Sequence, residues 1–512
     1  MSSESADRVS APDPASNEAL IEKYGAVGYA AQANALSHPD QLATVASLHG
    51  LSPPAVATCR VLELGCNDGA NLLPMAAALP DARFVGCDLS PDAIALGRAA
   101  IAELGLHNVT LVEADLRQLP EALGEFDYIV AHGVYSWVPP AVRDSLFALA
   151  ARLLSEHGLV FVSYNVYPGC HVRQAAWEVL RFHSERLQGA RERLDAARAL
   201  AGALAEPGVA QNETDALLRR EFAGIAKQSD SALYHDSLAV PNDPVYLHEF
   251  VAHARRHGIE YVSDAKLFNS SDLGLSPSMQ RLVAGLGRIE REQYRDFAGL
   301  RRFRQSVLCR SEVAASLTPV PGRAAGMHAA ASMSLMNAVA HGKPSINPLR
   351  AALDPTDTQR LSTVLERLVA VAPRALPAAE LEALVTERGA SKPAAPARSF
   401  STLLVEACFA DEVLLHVHPP RLSELPTERP LTSSVIRRQA RRGEMITNLC
   451  HEQLRIADAP PRALLALLDG ARDRAALDAA VGSALGVDEP AARRRRIDNY
   501  VRTFARLGLL IS

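Results

Sequence analysis

The chain is 512 residues long, 48% apolar and 22% charged, too long for one compact core and long enough for two to four domains. Its formal net charge of −5 gives no long-range attraction to nucleic acid, so any polyanion contact has to be local. No apolar run reaches the roughly 20 residues that span a bilayer, and seven cysteines without a CxxC pair suit neither a disulfide framework nor a zinc ribbon.

Residues 1–16 (MSSESADRVSAPDPAS) have the composition of a disordered tail and lack the apolar stretch of a signal peptide, which makes the cytoplasm the expected compartment. Apolar, β-branched runs then recur at VLELG (Val61 to Gly65), RFVGCDL (Arg83 to Leu89), VTLVEADL (Val109 to Leu116), FDYIVAHGV (Phe126 to Val134) and LVFVSYN (Leu159 to Asn165). Each is a strand candidate. Helical segments separate them, among them PDAIALGRAAIAELG and PPAVRDSLFALAARLLSEHG, the second opening on proline and closing on glycine. Strands alternating with helices predict a parallel, doubly wound sheet that binds its ligand beyond the carboxyl ends of the strands.

Those ends carry acids. The first strand delivers Glu63 and passes into Gly65-Cys66-Asn67-Asp68-Gly69, a turn tight enough for a ligand to approach the backbone at a helix N-terminus. The second ends in Asp88 followed by Leu89, and the third leads to Asp115 and Leu116. Asp88 is placed to accept from two ribose hydroxyls and Asp115 from an exocyclic amine of adenine. The order acid-x-Gly-x-Asn-x-Gly differs from the GxGxxG of dinucleotide enzymes, Glu63 would repel a pyrophosphate, and no GK[ST] follows. Adenosine with a cationic tail, S-adenosylmethionine (SAM), fits. His132, after the fourth strand, either joins the cofactor contacts or satisfies a strand end.

ELGCNDG resembles the first motif of class I SAM-dependent methyltransferases, with Asn67 in place of the usual middle glycine; asparagine tolerates the left-handed backbone. A wider run, YGAVGY, SHPDQLAT, ELGCNDGANLLPMA, AHGVYSWVP, SYNVYPG, YLHEFVAHARRHG and RRFRQSVLC, is similar to successive blocks of methyltransferases with a methyltransferase regulatory domain. That group includes rickettsial-type protein lysine methyltransferases of outer-membrane proteins. The resemblance runs from Tyr24 to Arg310, more loosely to Ser512, and implies SAM as cofactor, Glu63, Gly65, Gly69, Asp88 and Asp115 among its contacts, and a protein lysine as acceptor. Small-molecule methylation and a non-catalytic SAM-binding regulator are the alternatives.

Class I sheets close with a helix and an antiparallel strand pair after strand five, and here that closure is postponed. A helical stretch from Val172 to Ala205 and the segment YHDSLAVPNDPVY precede the helix HEFVAHARRHG and the strands IEYVSDA and FRQSVLCR. The expected fold is therefore a Rossmann-like α/β methyltransferase domain over 17–312 with a helical insertion at 172–245. The insertion should sit over the acceptor opening, with all cofactor contacts preceding it. A linker at 313–354 and two α-rich, winged-helix-like modules at 355–425 and 426–512 follow, suited to protein contact more than to DNA. The runs RRQARR (Arg437 to Arg442) and RRRR (Arg493 to Arg496) read as solvated helix faces.

Methyl transfer is an in-line displacement, so positioning is most of the task. An acceptor lysine must first lose a proton, which at pH 7 costs roughly 4.6 kcal/mol from a reference pKa near 10.4. The candidates for the acceptor slot are Tyr135 and Trp137 in AHGVYSWVPP and Tyr164-Asn165 at the end of strand five; the two aromatics of the slot read equally well as core residues capping the sheet. No metal is expected: His253 and His257 are four apart but lack a partnering glutamate, and His416 and His418 share one side of a strand without a third ligand.

Overall fold

Strands covered on both faces bury nearly every residue, which is why the central runs Val61–Leu64, Phe126–Ala131 and Leu159–Asn165 read as continuous apolar stretches, whereas the edge run Val109–Glu113 exposes Thr110 and Glu113. The computed structural model describes residues 27–512 apart from 30, 120–122, 208–211, 315–316, 343–348, 350–351, 388–397, 424–426, 483–485 and 487–488. The expected tail at 1–16 lies outside the described residues. The five runs become β1 (Arg60–Leu64), β2 (Arg83–Asp88), β3 (Val109–Glu113), β4 (Phe126–Ala131) and β5 (Leu154–Asn165). With β6 (Ile259–Asp264) and β7 (Phe303–Arg310) they form a seven-stranded sheet in the order β3-β2-β1-β4-β5-β7-β6. Strands β1 to β5 are parallel, while β7 runs antiparallel to both β5 and β6. The order reverses between β1 and β4, and that switch point opens the crevice described below.

Closure comes late, as the sequence indicates: the Leu247–Arg256 helix packs against the sheet before β6 and β7 complete it. One boundary differs. The helix expected to run to Gly158 stops at Leu153, and β5 starts directly at Leu154 with a register shift between Phe126 and Tyr128 of its neighbour. The Leu154 side chain is fully buried and its carbonyl accepts from the Arg310 guanidinium at 3.1 Å, contacts that favour an extended backbone.

The insertion folds as three helices, Cys170–Ser184, Ala190–Ala205 and Glu213–Ala226, around a small core of its own that includes Trp177, Leu194 and Phe222. It ends in a π-helical turn, Leu233–Ser237, a geometry that recurs at functional sites.

Residues 321–340, expected within a linker, are structured. β8 (His328–Ala331) is the central strand of a three-stranded sheet between β10 (Val413–His416) and β9 (Leu376–Pro377), and the Met333–Ala340 helix follows it. Its sequence, HAAA, has no β-branched residue to betray a strand. The helices Pro355–Val371, Ala378–Glu387 and Phe400–Phe409 complete this middle module, whose Leu361, Val364 and Leu403 share one buried cluster with Leu42, Val61 and Phe84 of the sheet domain. Only His416 lies in the strand expected to carry both histidines, because β10 ends there and His418 follows in a bend. The two still fasten the module, with His416 Nδ1 2.7 Å from Asp40 Oδ2 and the His418 amide donating to Asp40 Oδ1 at 2.6 Å.

The C-terminal module has a separate core including Ile436, Leu464, Val501 and Phe504, and a hairpin of β11 (Met445–Thr447) and β12 (Gln453–Arg455). The RRQARR run is more than a solvated face. Arg438 and Arg442 both donate to Glu103 Oε2, at 2.8 Å each, and seat the module on the Pro91–Leu104 helix. All seven cysteines are free, six of them buried. Among the described residues no helix is long and apolar enough to cross a membrane.

Candidate functional site

At the carboxyl end of β1 the chain must reverse into a helix while leaving its backbone open. Gly65 does so at φ +73°, where a Cβ would stand 2.7 Å from Val134 Cγ2, and Asn67 follows in the left-handed region at φ +50°. Asparagine holds that geometry by a local bond, its Oδ1 accepting from the Asp68 amide at 2.7 Å. Asp88, at the end of β2, accepts from the amides of Asn67 at 2.8 Å and Ser90 at 2.9 Å. These bonds fix the carboxylate beside the turn, while burial raises its pKa.

One cavity gathers most of the residues expected at the cofactor: Gly65, Asn67, Asp88, Leu89, Asp115, Leu116 and His132 line it. Asp115 caps the short turn after β3 through the Arg117 amide and is paired with the Arg117 guanidinium. His132 Nδ1 lies 2.8 Å from Ser163 Oγ, and burial lowers its pKa to about 4, which leaves the ring neutral at pH 7. Gly69 and Glu63 do not line the cavity. Gly69 is buried beneath the turn and starts the following helix through Leu73.

Glu63 is 3% exposed. Its Oε1 accepts from Asn71 Nδ2 at 2.8 Å, whereas its Oε2 is buried with no hydrogen-bond partner among the described residues. Burial pushes its pKa up to about 8. An ionised carboxylate with an unsatisfied oxygen is costly in a buried site, so the group is held mostly protonated at pH 7.

The four acceptor-slot candidates divide. Trp137 lines the cavity and donates its indole N–H to the His235 carbonyl at 3.2 Å. Tyr135, two residues earlier, faces the core: it is 3% exposed, packs on Phe147, Tyr164 and Phe250, and pairs through its hydroxyl with His253 Nδ1 at 2.9 Å. Tyr164 is fully buried, stacked on Phe250 at 3.9 Å, with its hydroxyl 2.9 Å from Ser306 Oγ. Asn165, 3% exposed, donates to Asn242 Oδ1 at 2.8 Å. The Leu247–Arg256 helix covers the two tyrosines through Phe250 and His253, and the segment before that helix ties down Asn165 through Asn242 and Val245.

Of the cavity residues that escaped the sequence reading, three come from outside the strand ends and the segments that follow them. Tyr29 comes from the segment before the first helix, and His235 and Asp236 from the π-helical turn of the insertion, which therefore contributes to the cavity instead of merely covering it. Tyr29 packs edge-on against the His235 ring at 5.4 Å, and Asn242 Nδ2 donates to the Asp236 carbonyl at 2.9 Å. Desolvation pushes the Asp236 pKa up to about 6 against the field of Arg173. A π-helix is seldom foreseeable from sequence; the acid in YHDSL was the available signal.

The missing carboxylate beside His253 and His257 also comes from elsewhere. Asp144 Oδ1 lies 2.9 Å from His257 Nε2 and 3.3 Å from His253 Nε2, which brings two imidazoles and one carboxylate together at the surface.

A seven-stranded sheet of this order, with an acid-Gly-Asn-Gly turn and strand-end carboxylates at its switch point, defines a class I, Rossmann-like methyltransferase domain. Residues 61–158 match the family model described as a methyltransferase domain, 229–310 that of a predicted methyltransferase regulatory domain, and 428–494 that of the PKMT C-terminal winged helix domain. The regulatory match thus begins within the insertion and extends through β7, beyond the 172–245 expected for that region. Among similar proteins, the uncharacterized Rickettsia prowazekii protein RP028 is 34% identical over 223 residues, 43% of this chain and 88% of RP028. The uncharacterized protein RP789 of the same organism is 35% identical over 294 residues, 57% of this chain but 53% of RP789. The alignment thus spans about half of RP789. In fold, the chain is similar to PKMT2 from Rickettsia typhi, solved alone and with AdoHcy, at a TM-score of 0.79 and 23% identity over 94% of this chain and all of that one. The chain belongs to the methyltransferase family that joins a class I catalytic domain to this regulatory domain and a PKMT-type winged helix.

Proposed function

We propose that the protein methylates protein lysine side chains with SAM as donor. The observation that carries this reading is a single cavity lined both by the strand-end acids Asp88 and Asp115 and by Trp137, Tyr29 and Asp236: a nucleoside and a basic acceptor would meet in one place. The PKMT description of the winged-helix match and the PKMT2 fold support a protein as substrate.

In this reading Asp88 binds the ribose, Asp115 the adenine amine, and Leu89 and Leu116 the base, while His132 stays neutral. Glu63 does not line the cavity, but its buried Oε2, without a hydrogen-bond partner among the described residues, suits a cation, and that feature favours SAM over a neutral nucleoside. Bound SAM supplies an electrophilic methyl group on its sulfonium. The chain's own residues do the rest. Trp137 and Tyr29 desolvate the acceptor ammonium, which lowers its pKa. Asp236, ionised above about pH 6, holds that ammonium and takes its proton, leaving the neutral amine aligned for displacement.

Incubating the purified protein with methyl-labelled SAM and a lysate of its host, then fractionating by mass, tests this. Label in protein, recovered as methyl-lysine after hydrolysis, is expected. Label confined to small molecules would overturn the lysine assignment, and no label in the presence of bound SAM would favour a non-catalytic regulator.

A further inference from the structure

We propose that the C-terminal winged-helix domain lends the cofactor site a positioning residue: His451, in the loop joining β11 and β12, fixes Asn71, and Asn71 in turn aims the Glu63 carboxylate at the cationic tail of SAM. The proposal rests on the functional reading above.

His451 is 4% exposed although its loop belongs to a separate module, because the loop inserts into the sheet domain. Its Nε2 lies 2.8 Å from Asn71 Oδ1, across 380 residues of sequence, and its ring rests against His38 at 5.3 Å. Asn71, also 4% exposed, precedes the Leu72–Ala78 helix. Its Oδ1 accepts from the Asn34 amide at 2.9 Å as well, and its Nδ2 donates to Glu63 Oε1 at 2.8 Å and to Ser37 Oγ at 3.1 Å. All four hydrogen-bonding positions of this side-chain amide are therefore used, and a flipped amide would set two N–H groups against the Asn34 amide and the imidazole. His451 thus selects the rotamer that points the N–H groups at Glu63.

The module builds this loop in advance. Asn448 Oδ1 accepts from the amides of Cys450 at 3.0 Å and Glu452 at 2.8 Å, and its Nδ2 donates to the Leu507 carbonyl at 3.0 Å. His451 itself sits in the left-handed region at φ +61°, a conformation uncommon for residues other than glycine and tolerated by histidine. The groups shown facing the ring are the side-chain amide of Asn71 and the imidazole of His38; burial keeps both imidazoles neutral at pH 7. A neutral donor orients Asn71 without a charge that would compete for Glu63. The bonds from Arg438 and Arg442 to Glu103 seat the module beside this contact. By linkage, whatever seats the winged helix strengthens SAM binding, and bound SAM strengthens the seat.

Titration calorimetry with SAM on the full chain tests the chain of contacts. His451→Ala should weaken SAM at least fivefold, and His451→Gln, whose amide can still donate to Asn71 Oδ1, should restore most of the loss. In a Glu63→Gln background, His451→Ala should cost less than twofold, because its effect passes through the carboxylate. If His451→Ala proves poorly folded, Glu103→Arg removes the seat from outside the site and should weaken SAM in the same direction. Unchanged affinity in folded His451→Ala or in Glu103→Arg, or an equal loss with and without the Glu63 carboxylate, overturns the proposal while leaving the SAM assignment intact. A wild-type protein that does not bind SAM overturns both.

Discussion

Trp137 and His235 are joined by a hydrogen bond from the indole N–H to the main-chain carbonyl, 3.2 Å long, and this bond ties the loop after β4 to the turn that carries Asp236. The loop after β4 forms a short 3-10 turn, Tyr135–Trp137, whose two aromatic side chains serve different ends. Tyr135 is directed into the aromatic core and Trp137 into the cavity.

Substitutions at these two positions should therefore separate. Trp137→Leu is expected to lower turnover with an acceptor by roughly 0.5–2 kcal/mol in transition-state stabilisation, with the melting temperature nearly kept. Tyr135→Ala opens a cavity among Phe147, Tyr164 and Phe250 and should cost roughly 3–5 kcal/mol of stability, with the SAM affinity of the folded fraction little changed. Thermal unfolding and steady-state kinetics on both variants decide the matter, and the opposite pattern would reverse the assignment.

Asp88→Ala removes charge-assisted hydrogen bonds to the ribose worth roughly 1.5–3 kcal/mol each, and it frees the Asn67 amide that shapes the turn. SAM should bind weaker by one to several powers of ten, measured by calorimetry. Full affinity in a folded Asp88→Ala protein would displace the cofactor from this cavity.

Glu63 links cofactor binding to protons. Its pKa of about 8 in the free protein means that it is mostly protonated at pH 7, and a bound cation should drive it to ionise. Binding at pH 7 is expected to release close to one proton, seen as a dependence of the calorimetric enthalpy on the buffer's ionisation enthalpy, and Glu63→Gln should abolish that dependence. The stability sign follows too. A carboxylate whose pKa is raised on folding binds more protons in the native state, so its contribution falls as pH climbs from about 4.5 to 8, by at most about 1.4 kcal/mol per unit. Without cofactor, Glu63→Gln should therefore melt higher than wild type at pH 8, and the two should converge near pH 4.

Asp236 sets a lower limb on the activity profile. Its carboxylate, pushed up to about 6 by desolvation, is the form that holds and deprotonates an ammonium, so kcat/KM for a lysine acceptor should rise through pH 6 and then level. Asp236→Asn should remove that limb and lower the plateau at least tenfold, with SAM affinity within about threefold of wild type. A profile still breaking near pH 6 in Asp236→Asn would assign the limb to another group.

Local chemistry makes part of this protein readable from residue order alone. Strand ends, tight turns and the acids beside them are set by a few adjacent residues, and so the left-handed Asn67, the placement of Asp88 and Asp115, and the late closure of the sheet were all legible. Direction and company were decided only in three dimensions. Nothing in AHGVYSWVPP distinguishes Tyr135 from Trp137, because which one meets the core depends on the Leu247–Arg256 helix arriving from over a hundred residues away. The linker reading of 321–340 failed because HAAA becomes a strand through pairing with β10 and β9, not through its own propensity. Asp236 enters the cavity on a π-turn held by Trp137 and Asn242, and His451 reaches Asn71 from the far end of the chain. Backbone preferences extend over a turn or two, whereas burial of one side chain against another is a property of elements that meet only after the chain has packed.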